Sequence, residues 1–172
     1  KSGMTGDPNG VTSVNITDPY NISVVSSISH TTFDAAEDIK INGNTAYISS
    51  DFGDSLVALD ISNPASMTIL DSITGPVLDY AKRLDISADY AFVTTRFSQT
   101  YLRVIDISNP NNLTLVASRD ISPNPYTVRY SNNHVFFIDS GNLVAYELQP
   151  YGGGGGGGSL GACSTAGAWH WD

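Results

Sequence analysis

Short apolar runs that end in the same polar turn recur along this chain. The fullest covers residues 102–110 (LRVIDISNP), a close copy covers residues 56–64 (LVALDISNP), and a shorter one covers residues 14–19 (VNITDP). Val, Ile and Leu favour a pleated, mostly buried strand. Asn or Asp followed by Pro favours a tight turn, because the polar side chain bonds the nearby backbone and Pro fixes φ. Each copy therefore predicts a strand, a forced turn and a further strand.

A second pattern repeats in step with the first. Residues 39–48, 84–93 and 128–137 each give a short strand, a turn rich in Asn, Gly, Asp or Ser, and a second strand with an aromatic at its third position. This is the signature of a β-hairpin. The prolines that close the first pattern lie 45 and then 46 residues apart. Four strands in about 45 residues is the pattern of a β-propeller blade.

The predicted fold class is therefore all-β, built from β-propeller blades of four antiparallel strands. We expect whole blades at residues 35–73 and 80–121, two strands before them, three strands after them, and no helix longer than one turn. Propellers usually close with at least four blades. A ring of three would leave residues 11–16 and 143–148 competing for one place. We therefore interpret the chain as an incomplete ring or a fragment of a longer propeller, with further blades in the full-length chain.

Three segments follow from this division. Residues 1–10 are predicted to be an irregular lead-in, residues 11–150 the propeller repeats, and residues 151–172 a Gly-rich linker and disordered tail. The tail contains seven consecutive glycines at 152–158, which cannot form a core. Its start is similar to a GlyGly-type C-terminal sorting signal of Gram-negative bacteria, although the hydrophobic span and basic residues of that pattern do not follow. A linker, a truncation or an added sequence is an equal alternative.

The matching apolar positions of the repeats should form the core. Blades pack face to face, and a slip of one residue would reverse the faces of a strand. We expect these residues to be mostly buried: Ile39, Ile41, Tyr47, Ile61, Leu84, Ile86, Phe92, Val104, Ile107, Val128 and Phe136.

The repeated motifs resemble those of the LVIVD-repeat propeller family. The matching stretches are residues 102–110 and 56–64 for the strand and turn, and residues 44–48 for the hairpin. The resemblance covers roughly residues 11–149 and implies a propeller fold. It implies little about activity, because the residues that the family shares are turn and core residues.

Composition narrows the class of protein. Eight Lys and Arg stand against 17 Asp and Glu, a net charge of −9. Binding to nucleic acid is not expected, since it requires a basic stripe. No apolar run approaches 18 residues, so no membrane span is predicted. An acidic composition rich in Ser, Thr, Asn and Gly favours a bacterial protein that is secreted or located at the cell surface.

We therefore expect a noncatalytic binding module, whose partner is an unidentified protein or carbohydrate, and no enzymatic activity. The alternative is a propeller-fold hydrolase with carboxylates at the channel mouth, where Asp34, Glu37 and Asp38 cluster before an inner strand. Fold alone does not separate the two.

No cofactor is predicted apart from one candidate calcium site. Asp51 and Asp54 place two carboxylates in one loop, and such oxygens can hold calcium. A solvated turn is the alternative interpretation. The three histidines share no ligand spacing, and no Gly-x-Ser-x-Gly motif occurs.

Charges at equivalent positions of successive inner strands alternate in sign. Aligning Ile39, Leu84 and Val128 places acidic residues of one blade opposite basic residues of the next. We therefore predict structural ion pairs between blades: Glu37 or Asp38 with Lys82 or Arg83, and Asp85 with Lys40 or Arg129. Such pairs would fix the register of the blades.

Overall fold

The computed structural model describes residues 9–96, 101–121, 125–139, 142–147 and 165–169. The described residues form fourteen strands in four antiparallel sheets, and their only helical elements are single 3₁₀ turns at Thr31–Phe33 and Pro76–Leu78. No described helix has the length and apolar character needed to cross a membrane. The all-β, bladed architecture predicted from the repeats is thereby confirmed.

Each sheet takes its strands in chain order, as in successive propeller blades. The first sheet has two strands, β1 (Gly10–Asn15) and β2 (Ser23–Ser29). Blade 2 contains β3 (Ala36–Asn42), β4 (Thr45–Ser50), β5 (Ser55–Asp60) and β6 (Thr68–Thr74). Blade 3 contains β7 (Arg83–Ile86), β8 (Tyr90–Thr94), β9 (Tyr101–Asp106) and β10 (Thr114–Asp120). Blade 4 contains β11 (Pro125–Ser131), β12 (His134–Asp139), β13 (Asn142–Glu147) and β14 (Thr165–Trp169).

The last strand, β14, lies inside the segment that the sequence predicted to be a tail. It pairs with β13 through Leu143↔Trp169 and Tyr146↔Thr165. Without β14, the outer edge of β13 would present unpaired backbone N–H and C=O groups. A strand can pair with such an edge through its backbone and needs little side-chain pattern of its own. The sequence pattern therefore did not predict β14.

The inner hairpins turn through residues that accept positive φ. Gly43 links β3 to β4 at φ 58°, and Asn132 and Asn133 link β11 to β12 at φ 49° and 63°. Asn and Gly are the residues that two-residue hairpin turns of this kind prefer.

The turns after β5 and β9 explain why the spacing of Asp, Ser, Asn and Pro is the same in both repeats. The Asp and Asn side chains each accept a hydrogen bond from the backbone N–H two residues later, which stabilises a tight turn without strand pairing. These bonds run from Ser62 N to Asp60 Oδ1 (2.8 Å), Ala65 N to Asn63 Oδ1 (3.0 Å), Ser108 N to Asp106 Oδ1 (2.9 Å) and Asn111 N to Asn109 Oδ1 (3.1 Å).

The core consists of apolar layers between adjacent sheets. Tyr47 and Leu56 of blade 2 pack with Leu84 and Ile105 of blade 3, together with Leu78 from the connection. Burial raises the pKa of Tyr47, whose hydroxyl donates to the carbonyl of Ile107 at 3.3 Å. Between blades 3 and 4 the layer contains Phe92, Leu102, Val104, Val128, Val135 and Phe137. Between the first sheet and blade 2 it contains Ala46, Ile48, Val57, Leu59, Val11 and Ile28.

The core prediction is confirmed for most positions and wrong for two. Tyr47, Leu84, Phe92, Val104, Ile107 and Val128 are buried, and Ile61, Ile86 and Phe136 are half-buried. Ile39 and Ile41 are exposed to 48% and 61%. Among the described residues the first sheet has two strands, which cover the outer strands of blade 2 and leave β3 uncovered.

Candidate functional site

One end of the sheets carries the connections between blades and the turns between the second and third strands. We call this end the loop end and define it by residues 30–35, 51–54 and 75–82. The connections at 30–35 and 75–82 each contain a 3₁₀ turn, then an Asp, then a residue at positive φ: Ala35 at 49° and Tyr80 at 54°. Phe33 and Leu78, the last residues of the two 3₁₀ turns, are fully buried. The repeated conformation therefore fixes how blades 2 and 3 begin.

The first connection holds the β4–β5 turn in place. Asp51 N donates to the carbonyl of Ala35 at 2.9 Å, and Gly53 N donates to the carbonyl of Asp34 at 3.0 Å. Ser55 Oγ donates to the carbonyl of Thr32 at 2.6 Å. Gly53 is required by close approach, because a Cβ at this position would lie 2.6 Å from the Thr32 carbonyl oxygen.

Lys82 forms the charged centre of the loop end. Its Nζ donates to Glu37 Oε1, from the preceding blade, and to Asp51 Oδ2 at 2.8 Å. The three side chains are only 18%, 25% and 10% exposed. Burial by itself would lower the pKa of Lys82, but the hydrogen bonds and charges of Asp51 and Glu37 outweigh it and raise that pKa. Lys82 therefore stays charged and links the two blades.

Arg83 and Lys40 form two further inter-blade pairs. Arg83 Nη1 lies 3.6 Å from Glu37 Oε2, and Lys40 Nζ lies 3.6 Å from Asp85 Oδ1. The structure thus brings Glu37 together with both basic residues proposed for it. Arg129 is not brought to Asp85; its Nη1 donates instead to the backbone carbonyl of Val128 at 2.7 Å.

Two aspartates of the inner strands also accept backbone hydrogen bonds across the blade interface. Asp38 Oδ2 accepts from Leu84 N at 3.1 Å, and Asp85 Oδ2 accepts from Tyr130 N at 2.7 Å. The sequence alignment did not reveal these bonds, because it compared side-chain charges and not the backbone donors at the inner edge of the next blade.

The two carboxylates proposed for calcium, Asp51 and Asp54, make separate contacts with other residues. Asp51 holds Lys82, and Asp54 Oδ1 accepts from Tyr80 N at 3.0 Å. Within the described residues, no group of three or more His, Cys, Asp or Glu side chains is placed to hold a metal ion. A lysine ammonium thus lies against the carboxylate that would have contributed to the site.

The three acids proposed for hydrolysis all make structural contacts. Glu37 and Asp38 make the contacts between blades described above. The backbone carbonyl of Asp34, in the first connection, accepts from Gly53 N.

Two histidines have local structural contacts. His30 caps the first 3₁₀ turn through Thr32 N, and His134 Nδ1 lies 2.7 Å from the carbonyl of Asn132. His170 lies outside the described residues.

An aromatic pair stands at the outside of the loop end. Phe52 is 63% exposed and meets the Tyr80 ring edge-on, with centroids 5.8 Å apart and planes at 87°. Tyr80 and Asp54 both hold positive φ, in a backbone conformation that costs free energy for residues other than Gly. The sequence pattern treated Phe52 as part of a solvated turn; its signal was an aromatic between an Asp and a Gly in that turn.

Sequence comparison identifies the repeat unit. The profile of the LVIVD repeat matches residues 35–74 and 79–121, which are blades 2 and 3 with their connections. The chain carries LVIVD repeats. None of the curated proteins matches the sequence significantly.

Solved structures share the fold of these LVIVD repeats at low sequence identity. A provisionally named 6-phosphogluconolactonase from Bacteroides uniformis has a TM-score of 0.74 at 11% identity, over 92% of this chain and 48% of that one. A functionally unknown protein from Desulfotomaculum acetoxidans has a TM-score of 0.68 at 13% identity, over 93% of this chain and 47% of that one. The present chain thus spans about half the length of these structures.

Proposed function

We propose that this chain is part of a noncatalytic, secreted or cell-surface β-propeller module that binds a protein partner through its loop end. The observation that carries the proposal is the Phe52–Tyr80 pair, an exposed aromatic on a turn anchored by backbone hydrogen bonds. Rigid aromatic side chains surrounded by polar groups are typical anchors of protein interfaces. The acidic composition supports an extracellular setting.

The contacts of the acids support a structural role for them. Glu37, Asp38 and Asp51 each bind a cation or a backbone N–H of the next blade. A general acid or base must reach its substrate and exchange a proton with it. An acid that holds Lys82 or Leu84 N would have to give up a contact between blades to do so. The hydrolase alternative, which the name of the Bacteroides uniformis structure raises for that protein, is therefore the second candidate here.

Site-specific photocrosslinking tests the binding role. p-Benzoylphenylalanine placed at position 52 of the full-length protein in its native host should give one dominant adduct. The matched control is position 20, because Tyr20 is 99% exposed and lies in the β1–β2 turn at the opposite end. Equal adducts from both positions, or an adduct consisting of glycan alone, would contradict a protein-binding loop end.

Hydrolysis of D-glucono-δ-lactone tests the second candidate. Neither the purified protein nor its Glu37→Gln variant should hydrolyse this probe faster than buffer alone. A rate above buffer that Glu37→Gln removes would establish the hydrolase reading and overturn a noncatalytic role for the inner acids.

A further inference from the structure

One face of blade 2 is covered over its outer half and open over its inner half. Ile39 lies beside Ile48, which lies beside Val57, in adjacent strands β3, β4 and β5. Ile48 and Val57 are 2% and 0% exposed beneath the first sheet, whereas Ile39 is 48% exposed. Ile41, next along the same face, is 61% exposed. The apolar surface of β3 thus continues this interface, but no described sheet packs on it.

The same chain shows twice what covers this surface. Leu84 of β7 and Val128 of β11 occupy the position of Ile39, and both are 0% exposed. Each is covered by the inner hairpin of the preceding blade, through Tyr47 on β4 and Phe92 on β8. The equivalent cover for β3 would be an inner hairpin that precedes the first sheet.

In the part of the chain that the structure describes, the first sheet has an open edge where such a hairpin would join it. β1 leads into the turn of residues 14–19, as β5 and β9 lead into their copies of that turn, so β1 is the third strand of a blade. β5 pairs with β4 on one side and β6 on the other, whereas β1 pairs only with β2 among the described strands. Unpaired edges are templates for a further strand.

The backbone hydrogen bonds of β3 differ from those of β7 in a way that agrees with this interpretation. In blade 3, Leu84 N donates to Asp38 of the preceding blade at 3.1 Å. In blade 2, the equivalent Ile39 N donates to its own neighbour, Asp38 Oδ1, at 2.9 Å. By analogy with blade 3, an acid from a preceding hairpin would accept from Ile39 N.

We propose that Ile39, Ile41 and the open edge of β1 together form a docking site for one β-hairpin, supplied by a further LVIVD-type repeat of the same protein. The hairpin would resemble β3–β4 and β7–β8, with a large aromatic over Ile39 and an aspartate directed at the β3 backbone. It would complete the first sheet as a four-stranded blade. This proposal is independent of the proposed binding function.

Extending the full chain at its start with a copy of its own inner hairpin tests the site. The added segment repeats residues 36–50 (AEDIKINGNTAYISS), followed by a flexible Gly/Ser linker that makes docking intramolecular. We expect the thermal midpoint to rise by about 4 °C or more. We also expect β1 amides on the open edge to gain protection from hydrogen exchange. An extension in which the tyrosine copied from Tyr47 is replaced by Asp should give neither effect.

Two variants of the chain locate the effect. Ile41→Asp should abolish the gain, and Ile22→Asp should retain it, because both side chains are 61% exposed but only Ile41 lies on β3. The proposal is overturned if the extension gives no gain, or if both extensions give the same gain. It is also overturned if the unextended chain is a dimer that Ile41→Asp dissociates and Ile22→Asp does not, since a second copy would then be the occupant.

Discussion

At the scale of single residues, the repeated turns depend on carboxylates that accept backbone hydrogen bonds. Two hydrogen bonds lower the pKa of Asp60 below its ordinary value of 3.8: the larger effect comes from the backbone N–H of Ser62 and the smaller from the Ser62 hydroxyl. Because the pKa is depressed in the folded protein, the stabilisation is present above pH 3.8 and is lost as the pH falls through the lower folded pKa. Turn stability is therefore a property of the ionised aspartate.

We predict that Asp60→Ala destabilises the protein at pH 7, and that the difference from the parent protein shrinks as the pH falls below 3.8. Denaturant unfolding of both proteins across this pH range measures it. Ser62→Ala serves as the control, because it keeps the backbone donor and should lose less stability than Asp60→Ala. A difference that stays constant with pH would show that the carboxylate charge does not act in this turn.

A second residue-scale prediction concerns Gly53. Gly53→Ala should destabilise by about 1–3 kcal/mol, because its Cβ would meet backbone, which cannot move aside without shifting the first connection. Gly43→Ala is the matched control: nothing lies within 4 Å of its Cβ, and only its φ of 58° opposes the change. That strain is worth about 1–2 kcal/mol. Loosening of the Asp51–Ala35 bond, seen as faster exchange of Asp51 N–H, should accompany Gly53→Ala alone.

At the scale of elements, the sequence predicted what local pattern determines. The hairpins, the Asp and Asn turns and the blade boundaries follow from residues close in sequence. The exposure of Ile39 does not, because it depends on whether another hairpin packs against β3. Likewise, charge alternation pointed to Glu37 and Lys82, while the role of Asp51 as a second partner of Lys82 required the folded β4–β5 turn.

The Lys82 pairs give an element-scale prediction. Lys82→Met should destabilise the protein by about 1.5–3 kcal/mol, the range for hydrogen bonds to charged groups, because Glu37 and Asp51 lose their common partner. Glu37→Gln should cost less, since Asp51 still holds the ammonium. A double-mutant cycle between positions 37 and 82, read by denaturant unfolding, should give a coupling that falls in high salt. Additive effects of the two changes would contradict the pairing.

At the scale of the whole molecule, the blades are joined by a repeated set of contacts rather than by one continuous core. The interfaces between blades 2 and 3 and between blades 3 and 4 each contain an apolar layer and an aspartate that accepts a backbone N–H from the next inner strand. Repeat proteins whose units contact only their neighbours have stabilities that depend on these interfaces one by one. A change at one interface should therefore act mainly on the two blades that share it.

Asp85→Ala tests this local coupling. The change removes the acceptor of Tyr130 N and the partner of Lys40, so β11 should lose protection from hydrogen exchange while β4 and β5 retain it. We expect a loss of stability of about 1–3 kcal/mol, the cost of leaving a donor without a partner, and toward the lower end because Tyr130 N is only part-buried. Lys40→Met is the control, because it removes the ion pair and leaves the bond to Tyr130 N intact, and it should change exchange in β11 much less. If Asp85→Ala raises exchange equally in blades 2, 3 and 4, the interfaces unfold as one unit and the blade-by-blade account is wrong.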